Sequence, residues 1–379
     1  MLDIFVPILL FVLILGVVIF VHELGHFLAA VRAGIFVEEF ALGMGPKIFS
    51  FYGKKKSAHP RPDAEGDEYT MYSLRMLPIG GYCKMRGQDE DVPDDPEAMN
   101  NKSVFARICV IAGGSAMNFL VAFLLFFALV MLRGFPVAEV VGVRDSMPAY
   151  NAGLMVGDRI THIDGTRVSL YEDFMFMLDT SGGQELELRI RRDTGTYITN
   201  IAPVVGERGN YVIGIYRGWR LGLLDQVPAD PDSPFVRVGA MEGLRTSADM
   251  IGFHMRTPFR LLARLASGQP MPEGGGVMGP IGIGGVITEV YQDAVGFGFV
   301  NMLLTMLMFT ALLNAMLGVM NLLPIPALDG ARLVFLFIEA IRRKPVAPER
   351  EAMVHVAGLV TLLVFAVFIA YRDIVRLIW

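Results

Sequence analysis

Four long stretches of the chain contain no Asp, Glu, Lys or Arg, and they constrain the fold more than any other feature. They are Ile4–Val21, Ile108–Leu132, Ala294–Leu328 and Val354–Tyr371. A helix rises 1.5 Å per residue, so about 20 apolar residues cross a hydrocarbon core roughly 30 Å thick. Hydrophobic residues make up 53% of the 379 residues and charged residues only 19%. The sequence therefore predicts a polytopic α-helical membrane protein with four transmembrane helices.

The basic residues of the short loops predict its orientation. Lys and Arg are frequent after the first apolar stretch and between the third and fourth, and such loops face the cytoplasm. The segment between the second and third stretches is then expected outside. Arg372 and Arg376 in the C-terminal tail argue mildly against this orientation. The net charge of -5 gives no reason to expect a nucleic-acid partner.

Residues 34–103 are not membrane-like. Phe36–Phe51, Tyr69–Leu77 and Ile79–Met85 have the composition of strands, with a polar loop at Lys54–Glu68. We expect membrane-associated β-strands on the cytoplasmic side.

A compact β-rich module is predicted for residues 137–215. Its strands surround a helix at Tyr171–Thr180, and an Asp-Gly turn follows the strand Arg159–Ile163. The phrase from Ser146 to Ile160 resembles the PDZ family, which binds peptide ends by strand addition. An amphipathic helix interrupted at Pro258 and a glycine-rich joint at Gly274–Gly285 are expected to follow.

The chemistry is indicated by His22-Glu23-Leu24-Gly25-His26, an HExxH motif at the inner end of the first apolar stretch. Residues four apart lie on one helix face, so both imidazoles can reach one metal ion. Glu23 can then take a proton from a metal-bound water. Two histidines snorkelling at a membrane edge are the structural alternative, but burying this triplet without a function is costly.

Asp329 is the candidate for the third ligand that a catalytic zinc needs. It follows the charge-free third stretch, where Pro324 and Pro326 break the helix. A helix cap at the start of Gly330–Ile341 is the alternative role for this carboxylate.

Taken together, these motifs resemble the site-2 protease family of intramembrane zinc metalloproteases, in particular the bacterial regulator of sigma-E protease type, here with a single PDZ domain. The resemblance rests on HExxH, on the phrase from Asn321 to Gly330 and on the inserted module. It implies a Zn2+ cofactor held by His22, His26 and Asp329, with Glu23 as the catalytic general base. It also implies substrate binding by Asn321. Asn118 could orient substrate too, although hydrogen bonding between helices is an equally good reading of it.

The same resemblance implies the partners and the location. Substrates would be single-span membrane proteins, such as anti-sigma factors or signal-peptide remnants, cut within the bilayer after a first extracytoplasmic cut. The expected location is the bacterial inner membrane, with a periplasmic PDZ domain that binds peptide C-termini and an active site toward the cytoplasm.

Some positions depart from the family pattern. Ala331 stands where a second glycine is usual after Asp329, and an asparagine often found before Asn321 is replaced by Met316, with Asn314 two residues earlier. Two other functions stay open on the sequence alone: an envelope binding module with a vestigial metal site, and a metal transporter.

The predicted organisation has eight segments. They are transmembrane helix 1 with HExxH (1–33), a cytoplasmic-side hairpin region (34–103), transmembrane helix 2 (104–134), the periplasmic PDZ domain (135–216), the amphipathic helix and glycine-rich joint (217–293), transmembrane helix 3 with Asp329 (294–331), a cytoplasmic loop (332–352), and transmembrane helix 4 with the tail (353–379).

Overall fold

The computed structural model describes residues 2–59, 69–88, 92–206, 209–225, 236–268 and 279–378. These residues form two compact units, one of residues 1–122 and 278–379 and the other of residues 123–277. The elements of the first part of the chain are α1 (Leu2–Arg32), β1 (Val37–Lys56), β2 (Tyr69–Met85) and α2 (Val104–Arg133), with a 3-10 turn at Met99–Asn101. Those of the inserted module are β3 (Phe135–Val143), α3 (Pro148–Asn151), β4 (Arg159–Ile163), β5 (Thr166–Arg167), α4 (Tyr171–Thr180), β6 (Leu186–Arg192), β7 (Gly195–Ile201), β8 (Val204–Val205), β9 (Tyr211–Val212), β10 (Ile215–Leu221) and β11 (Val236–Arg237). The remaining elements are α5 (Ala240–Ala266), α6 (Pro280–Val295), α7 (Phe299–Leu322), α8 (Asp329–Arg342) and α9 (Pro348–Ile378).

Four of the described helices are long and apolar enough to cross a membrane. They cover Phe5–Arg32, Val104–Arg133, Phe299–Leu322 and Glu349–Asp373. Each contains or overlaps one of the charge-free stretches, so the four predicted transmembrane helices are confirmed. Their outward side chains are apolar and exposed, as expected for surfaces that face lipid.

The strands predicted in 34–103 form a folded hairpin of β1 and β2. Leu42 is in register with both Gly81 and Leu74, so the first half of β1 lies between two segments of β2. The second half of β1 pairs with only the first of these two segments of β2, for example Phe51 with Tyr72. Most of the predicted polar loop, residues 60–68, lies outside the described part of the chain.

One apolar cluster joins this hairpin to the helices around it. Ala30 of α1, Phe40 of β1, Val110 of α2 and Leu336 of α8 are all buried in it. The helices α1 and α2 approach closely because glycines meet at their crossing. A Cβ on Gly113 would lie 2.8 Å from the carbonyl oxygen of Gly25, so a larger residue would force the backbones apart.

The glycine-rich joint predicted for Gly274–Gly285 is wrong in its second part. Residues 280–285 are already helical and belong to α6. Residues 269–278 of that joint lie outside the described residues. Ile287 of α6 is buried against Ile14 and Val18 of α1. The Asp373 carboxylate accepts hydrogen bonds from the amides of Gly279 (3.0 Å) and Gly282 (2.9 Å) at the start of α6, which the helix itself leaves unpaired.

The inserted module has a sheet in the order β11-β10-β3-β4-β6-β7, with β5 paired to β4. Its core is apolar, with Val140, Ile163, Phe174 and Leu188 almost fully buried. The inserted β-rich PDZ domain predicted from the sequence is confirmed, but it extends further than predicted. β10 continues to Leu221, past the predicted boundary at 216.

The amphipathic helix α5 runs without a break through Pro258, where the sequence predicted an interruption. A proline removes one backbone hydrogen bond, and packing on both sides of it can offset that loss. On the N-terminal side, Gly243 packs against Phe127 and Met131 of α2. On the C-terminal side, Arg260 pairs with Asp173 of α4 at 3.2 Å.

The PDZ domain depends on a buried carboxylate at Asp158. Arg192 donates two hydrogen bonds to it, at 2.6 and 2.8 Å, and the amide of Met155 donates a third at 2.9 Å. Burial acts to raise the pKa of Asp158, but the hydrogen bonds from Arg192 and Met155 lower it below its ordinary value. These hydrogen bonds explain why Asp158 is part of the segment from Ser146 to Ile160 that predicted the PDZ fold.

Replacing Asp158 by Asn should destabilise the PDZ domain by about 1.5–3 kcal/mol, the range for hydrogen bonds to charged groups. A lowered pKa means that the parent's extra stability is present above the ordinary aspartate pKa and is lost as the pH falls through the lowered value. The variant should lack this acid-dependent loss. Hydrogen exchange of β6 in the full-length protein measures both effects. Asp193→Asn, at an exposed neighbouring position, should change neither.

Candidate active site

The two histidines of the HExxH motif lie on one face of α1. Their side chains are buried, at 8% exposure for His22 and 6% for His26. The Nε2 atoms are 3.2 Å apart. The helical spacing read from the sequence therefore brings the two rings together as expected.

Asp329 reaches the same point from the other end of the chain. After α7 ends at Leu322, the segment with Pro324 and Pro326 is non-helical, and α8 begins at Asp329. The Asp329 Oδ2 atom lies 3.1 Å from Nε2 of His22 and 3.1 Å from Nε2 of His26. Its side chain faces the histidines, and the N-cap residue of α8 is Leu328, without a side-chain cap. The carboxylate therefore belongs to the histidine cluster and does not cap the helix.

The glycine after Asp329 is a steric requirement of this arrangement. A Cβ on Gly330 would overlap the carbonyl oxygen of Leu323. Only glycine lets the chain turn back closely enough for α8 to begin beside α7. Ala331, the departure from the family pattern, is buried at 5% exposure, so the methyl group is accommodated.

The chemistry of these three side chains fits a zinc ion. His26 Nδ1 lies 2.9 Å from the carbonyl oxygen of Val110, which can only accept, so Nδ1 carries the proton. A neutral His26 then directs the lone pair of Nε2 at Asp329 Oδ2 and at Nε2 of His22. Such a group of acceptors is repulsive unless a cation lies among them.

The spacing supports the same conclusion. Bonds of 2.0–2.1 Å at tetrahedral angles place zinc ligands about 3.3 Å apart, and the three ligand atoms here are 3.1 to 3.2 Å apart. Among the described residues, His22, His26 and Asp329 are the one group of three such side chains close enough to hold a metal. Three such side chains could hold a zinc ion and would leave a position open, as catalytic zinc sites do.

Glu23 lies beside this group and against the hairpin. Its side chain is partly exposed, and a Cβ on Gly81 of β2 would approach its Cγ to 3.1 Å. The backbone amide of Cys83 is directed toward the carboxylate. The second segment of β2 therefore sets where Glu23 sits, a contact that the motif alone does not reveal.

The predicted substrate-binding asparagines occupy different surroundings. Asn321 Nδ2 lies 3.4 Å from His22 Nε2, near the end of α7. Asn118 of α2 is fully buried, with its amide nitrogen 3.3 Å from His22 Nδ1. Asn314 is also fully buried and donates to the carbonyl of Thr310, while Met316 is half-exposed. Neither Asn314 nor Met316 joins Asn321 at the cluster.

Gly114 is a site residue that the sequence reading missed. A Cβ there would overlap Nε2 of His26 and lie 2.7 Å from Cε1 of His22. Its neighbour Gly113 makes the crossing with α1, so the two consecutive glycines have separate tasks. Two consecutive glycines inside an apolar stretch were the sequence signal for close packing at this position. Which helix packs against them is decided by the tertiary structure.

Comparison with known proteins agrees with this geometry. The model of peptidase family M50 matches residues 10–365. The chain belongs to this family. A candidate zinc metalloprotease of Clostridium acetobutylicum is 33% identical, with 98% of each chain covered. The regulator of sigma-W protease RasP of Bacillus subtilis is 29% identical, covering 97% of this chain and 98% of its own. The protein is thus a zinc metalloprotease.

The solved structures that this M50 peptidase resembles include isolated PDZ domains. The PDZ domain of an SdrC-like protein from Listeria monocytogenes is 23% identical and covers 22% of this chain and 87% of its own, with a TM-score of 0.20. A counterpart from Listeria innocua is 26% identical and covers 21% of this chain and 92% of its own, with a TM-score of 0.19.

The M50 peptidase should not tolerate Gly114→Ala. The added methyl group would displace the imidazoles of His22 and His26, so zinc content and peptide cleavage should both fall at least tenfold. Zinc analysis of the purified protein and a cleavage assay measure this. Gly16→Ala is the matched control in α1, because a Cβ there meets nothing within 4 Å. Full zinc content in Gly114→Ala would show that the site has room for a side chain there.

Proposed function

We propose that this M50 peptidase hydrolyses peptide bonds within the membrane, with zinc held by His22, His26 and Asp329 and with Glu23 as general base. The observation that carries the proposal is the convergence of three ligand atoms within 3.2 Å, two from α1 and one from the start of α8. Glu23 lies beside these three side chains but is not one of the proposed ligands. This is the division between ligands and base that zinc peptidases use.

The residues of this chain have separate tasks in that reaction. Bound zinc supplies a lowered pKa for water and polarises a carbonyl group. Glu23 accepts the proton released by water and passes it to the leaving amine. Asn321 has an amide N–H group beside the ligand cluster, where it can donate to the oxygen of the substrate carbonyl as charge develops.

The hairpin provides a place for the substrate backbone. A transmembrane helix hides its peptide bonds, so the segment has to unwind before cleavage. Residues 81–85 of β2 pair with β1 on one side. On the other side they have no strand partner among the described residues, and Cys83 lies there next to Glu23. An extended substrate could add to this edge and present its carbonyl to the site.

We infer the biological setting from the sequence pattern together with the relative named for its regulation of sigma-W. Substrates are single-span membrane proteins, such as anti-sigma factors or signal-peptide remnants, already shortened outside the cell membrane. The protein lies in the bacterial inner membrane, with the PDZ domain in the periplasm and the HExxH end of α1 toward the cytoplasm.

Neither alternative function accounts for the cluster as well. A metal transporter needs polar ligands distributed along a path, and the described residues offer one cluster of three. A binding protein with a vestigial metal site would not need both histidines, Asp329 and Glu23 to be kept together.

Two carboxyl-to-amide replacements at the site should have opposite effects on zinc. Glu23→Gln should keep zinc and lose cleavage by at least a hundredfold, because it removes a proton acceptor but no ligand. Asp329→Asn should lose cleavage and also release zinc, because a neutral amide is a poorer ligand than a carboxylate. Zinc content and cleavage of a purified single-span substrate measure both.

Each variant is the control for the other, because both replace one carboxylate by its isosteric amide in the same cluster. Cleavage by Glu23→Gln at the parent rate would exclude Glu23 as the base. Retention of zinc by Asp329→Asn at the parent's affinity would exclude Asp329 as a ligand.

The PDZ domain is proposed to bind peptide C-termini along β10. This strand pairs with β3 over its length, but with β11 only at Arg220 and Leu221. Among the described residues, 215–219 therefore keep one free backbone edge. Arg217 lies over the ring of Tyr171 at the start of α4, 5.0 Å from its centre, so the helix borders this edge. Strand addition there would hold a peptide.

Deleting residues 135–221 tests whether this domain filters substrates. Gly134 and Gly222 are in backbone contact, so they can be joined directly. Zinc content should be unchanged, because every proposed ligand lies elsewhere. In cells, the deletion should cut a full-length substrate that the parent leaves intact. Loss of cleavage of an already shortened substrate by the folded, zinc-loaded deletion protein would instead show that the domain delivers substrate.

A further inference from the structure

The side-chain amide of Asn118 is buried, and the structure gives a contact for its nitrogen but not for its oxygen. It lies in the middle of α2 at 0% exposure. Its Nδ2 atom is 3.3 Å from Nδ1 of His22, and its Oδ1 atom is buried without a hydrogen-bond partner among the residues that the structure describes. A polar group with an unpaired atom inside a membrane span is costly unless a function keeps it there.

The protonation of His22 explains the unpaired oxygen. His22 directs Nε2 at Asp329 and at His26, so a neutral ring that binds zinc through Nε2 carries its proton on Nδ1. That N–H group needs an acceptor, and an amide nitrogen is not one. The oxygen and nitrogen of an asparagine amide are exchanged by a half-turn about the last side-chain bond. The exchange places Oδ1 about 3.3 Å from His22 Nδ1, where it can accept this hydrogen bond.

The partner of His26 shows the same pattern. His26 donates from Nδ1 to the carbonyl of Val110, one of the residues of α2 that face α1. Val110 and Asn118 are eight residues apart, or just over two helical turns, so both lie on this face of α2. The helix α2 thus offers a hydrogen-bond acceptor to each imidazole. For His26 it is the backbone carbonyl of Val110, and for His22 it is the side-chain oxygen of Asn118.

We propose that Asn118 is a positioning residue that accepts a hydrogen bond from His22 Nδ1 and fixes the tautomer and orientation in which His22 binds zinc. This inference rests on the proposed zinc ligation by His22. It differs from the substrate-binding role predicted from the sequence, because a fully buried amide occupied by His22 has no surface for a peptide. Such partners of ligating histidines commonly change metal affinity 10- to 100-fold.

The test compares three variants of the full-length protein in detergent. Asn118→Leu removes the acceptor at similar size, and Asn118→Asp keeps it. Asn314→Leu is the matched control, because Asn314 is an equally buried asparagine of a membrane span that bonds to Thr310 and not to a histidine. Zinc affinity is measured by competition with a chelator. The absorption spectrum of bound Co2+ reports the ligand geometry independently of cleavage.

We expect Asn118→Leu to bind zinc 10- to 100-fold more weakly and to alter the Co2+ spectrum. Asn118→Asp and Asn314→Leu should stay within about threefold of the parent. If Asn118→Leu does not fold, as judged by circular dichroism, Asn118→Ala against Asn118→Asp makes the same comparison.

Three results would overturn the proposal. Zinc affinity of Asn118→Leu equal to that of Asn314→Leu would show that only a buried amide was lost. An equal loss in Asn118→Asp would show that the acceptor is irrelevant. A raised KM with unchanged zinc affinity would assign Asn118 to substrate. The proposed function fails separately, if His22→Ala binds zinc as tightly as the parent.

Discussion

Two imidazoles and a carboxylate meet within 3.2 Å in a unit whose other side chains are mostly apolar. Polar groups cannot stay unpaired in such surroundings, so the neighbouring structure has to provide partners for them. The carbonyl of Val110 serves His26, and Asn118 adjoins His22. Thus α1, α2 and the start of α8 each contribute a polar group to this cluster or to its hydrogen-bond partners.

Glycines make the close approach possible. Gly113 allows α1 and α2 to cross, Gly114 leaves room for the two rings, and Gly330 lets α8 begin directly against the end of α7. Each of them removes a side chain where a backbone or an imidazole must pass. The site therefore depends as much on the missing Cβ atoms of these glycines as on the proposed ligands, which is why a single methyl group should disturb it.

We propose that the hairpin brings the substrate to this cluster. Among the described residues, the second segment of β2 has a free edge where a peptide could pair, and Glu23 lies next to Cys83 at that edge. Among the described residues of the other unit, β10 of the PDZ domain likewise has a free edge. The protein thus offers extended peptide two separate edges, one beside the proposed base and one in the inserted domain. Strand addition would serve cleavage at the first and selection at the second.

The sequence alone determined the four spans, the HExxH pair and the PDZ phrase, because each depends on local spacing: apolar length, the helical period and turn chemistry. Asp329 could be named from its position after a charge-free stretch. Only the tertiary structure, however, places it beside His26, which lies 303 residues earlier in the chain. The continuous helix through Pro258, the strand β10 to Leu221, the role of Gly114 and the contact between Asn118 and His22 were also decided there. These features depend on which faces of distant elements pack together, and no periodicity within one element carries that information.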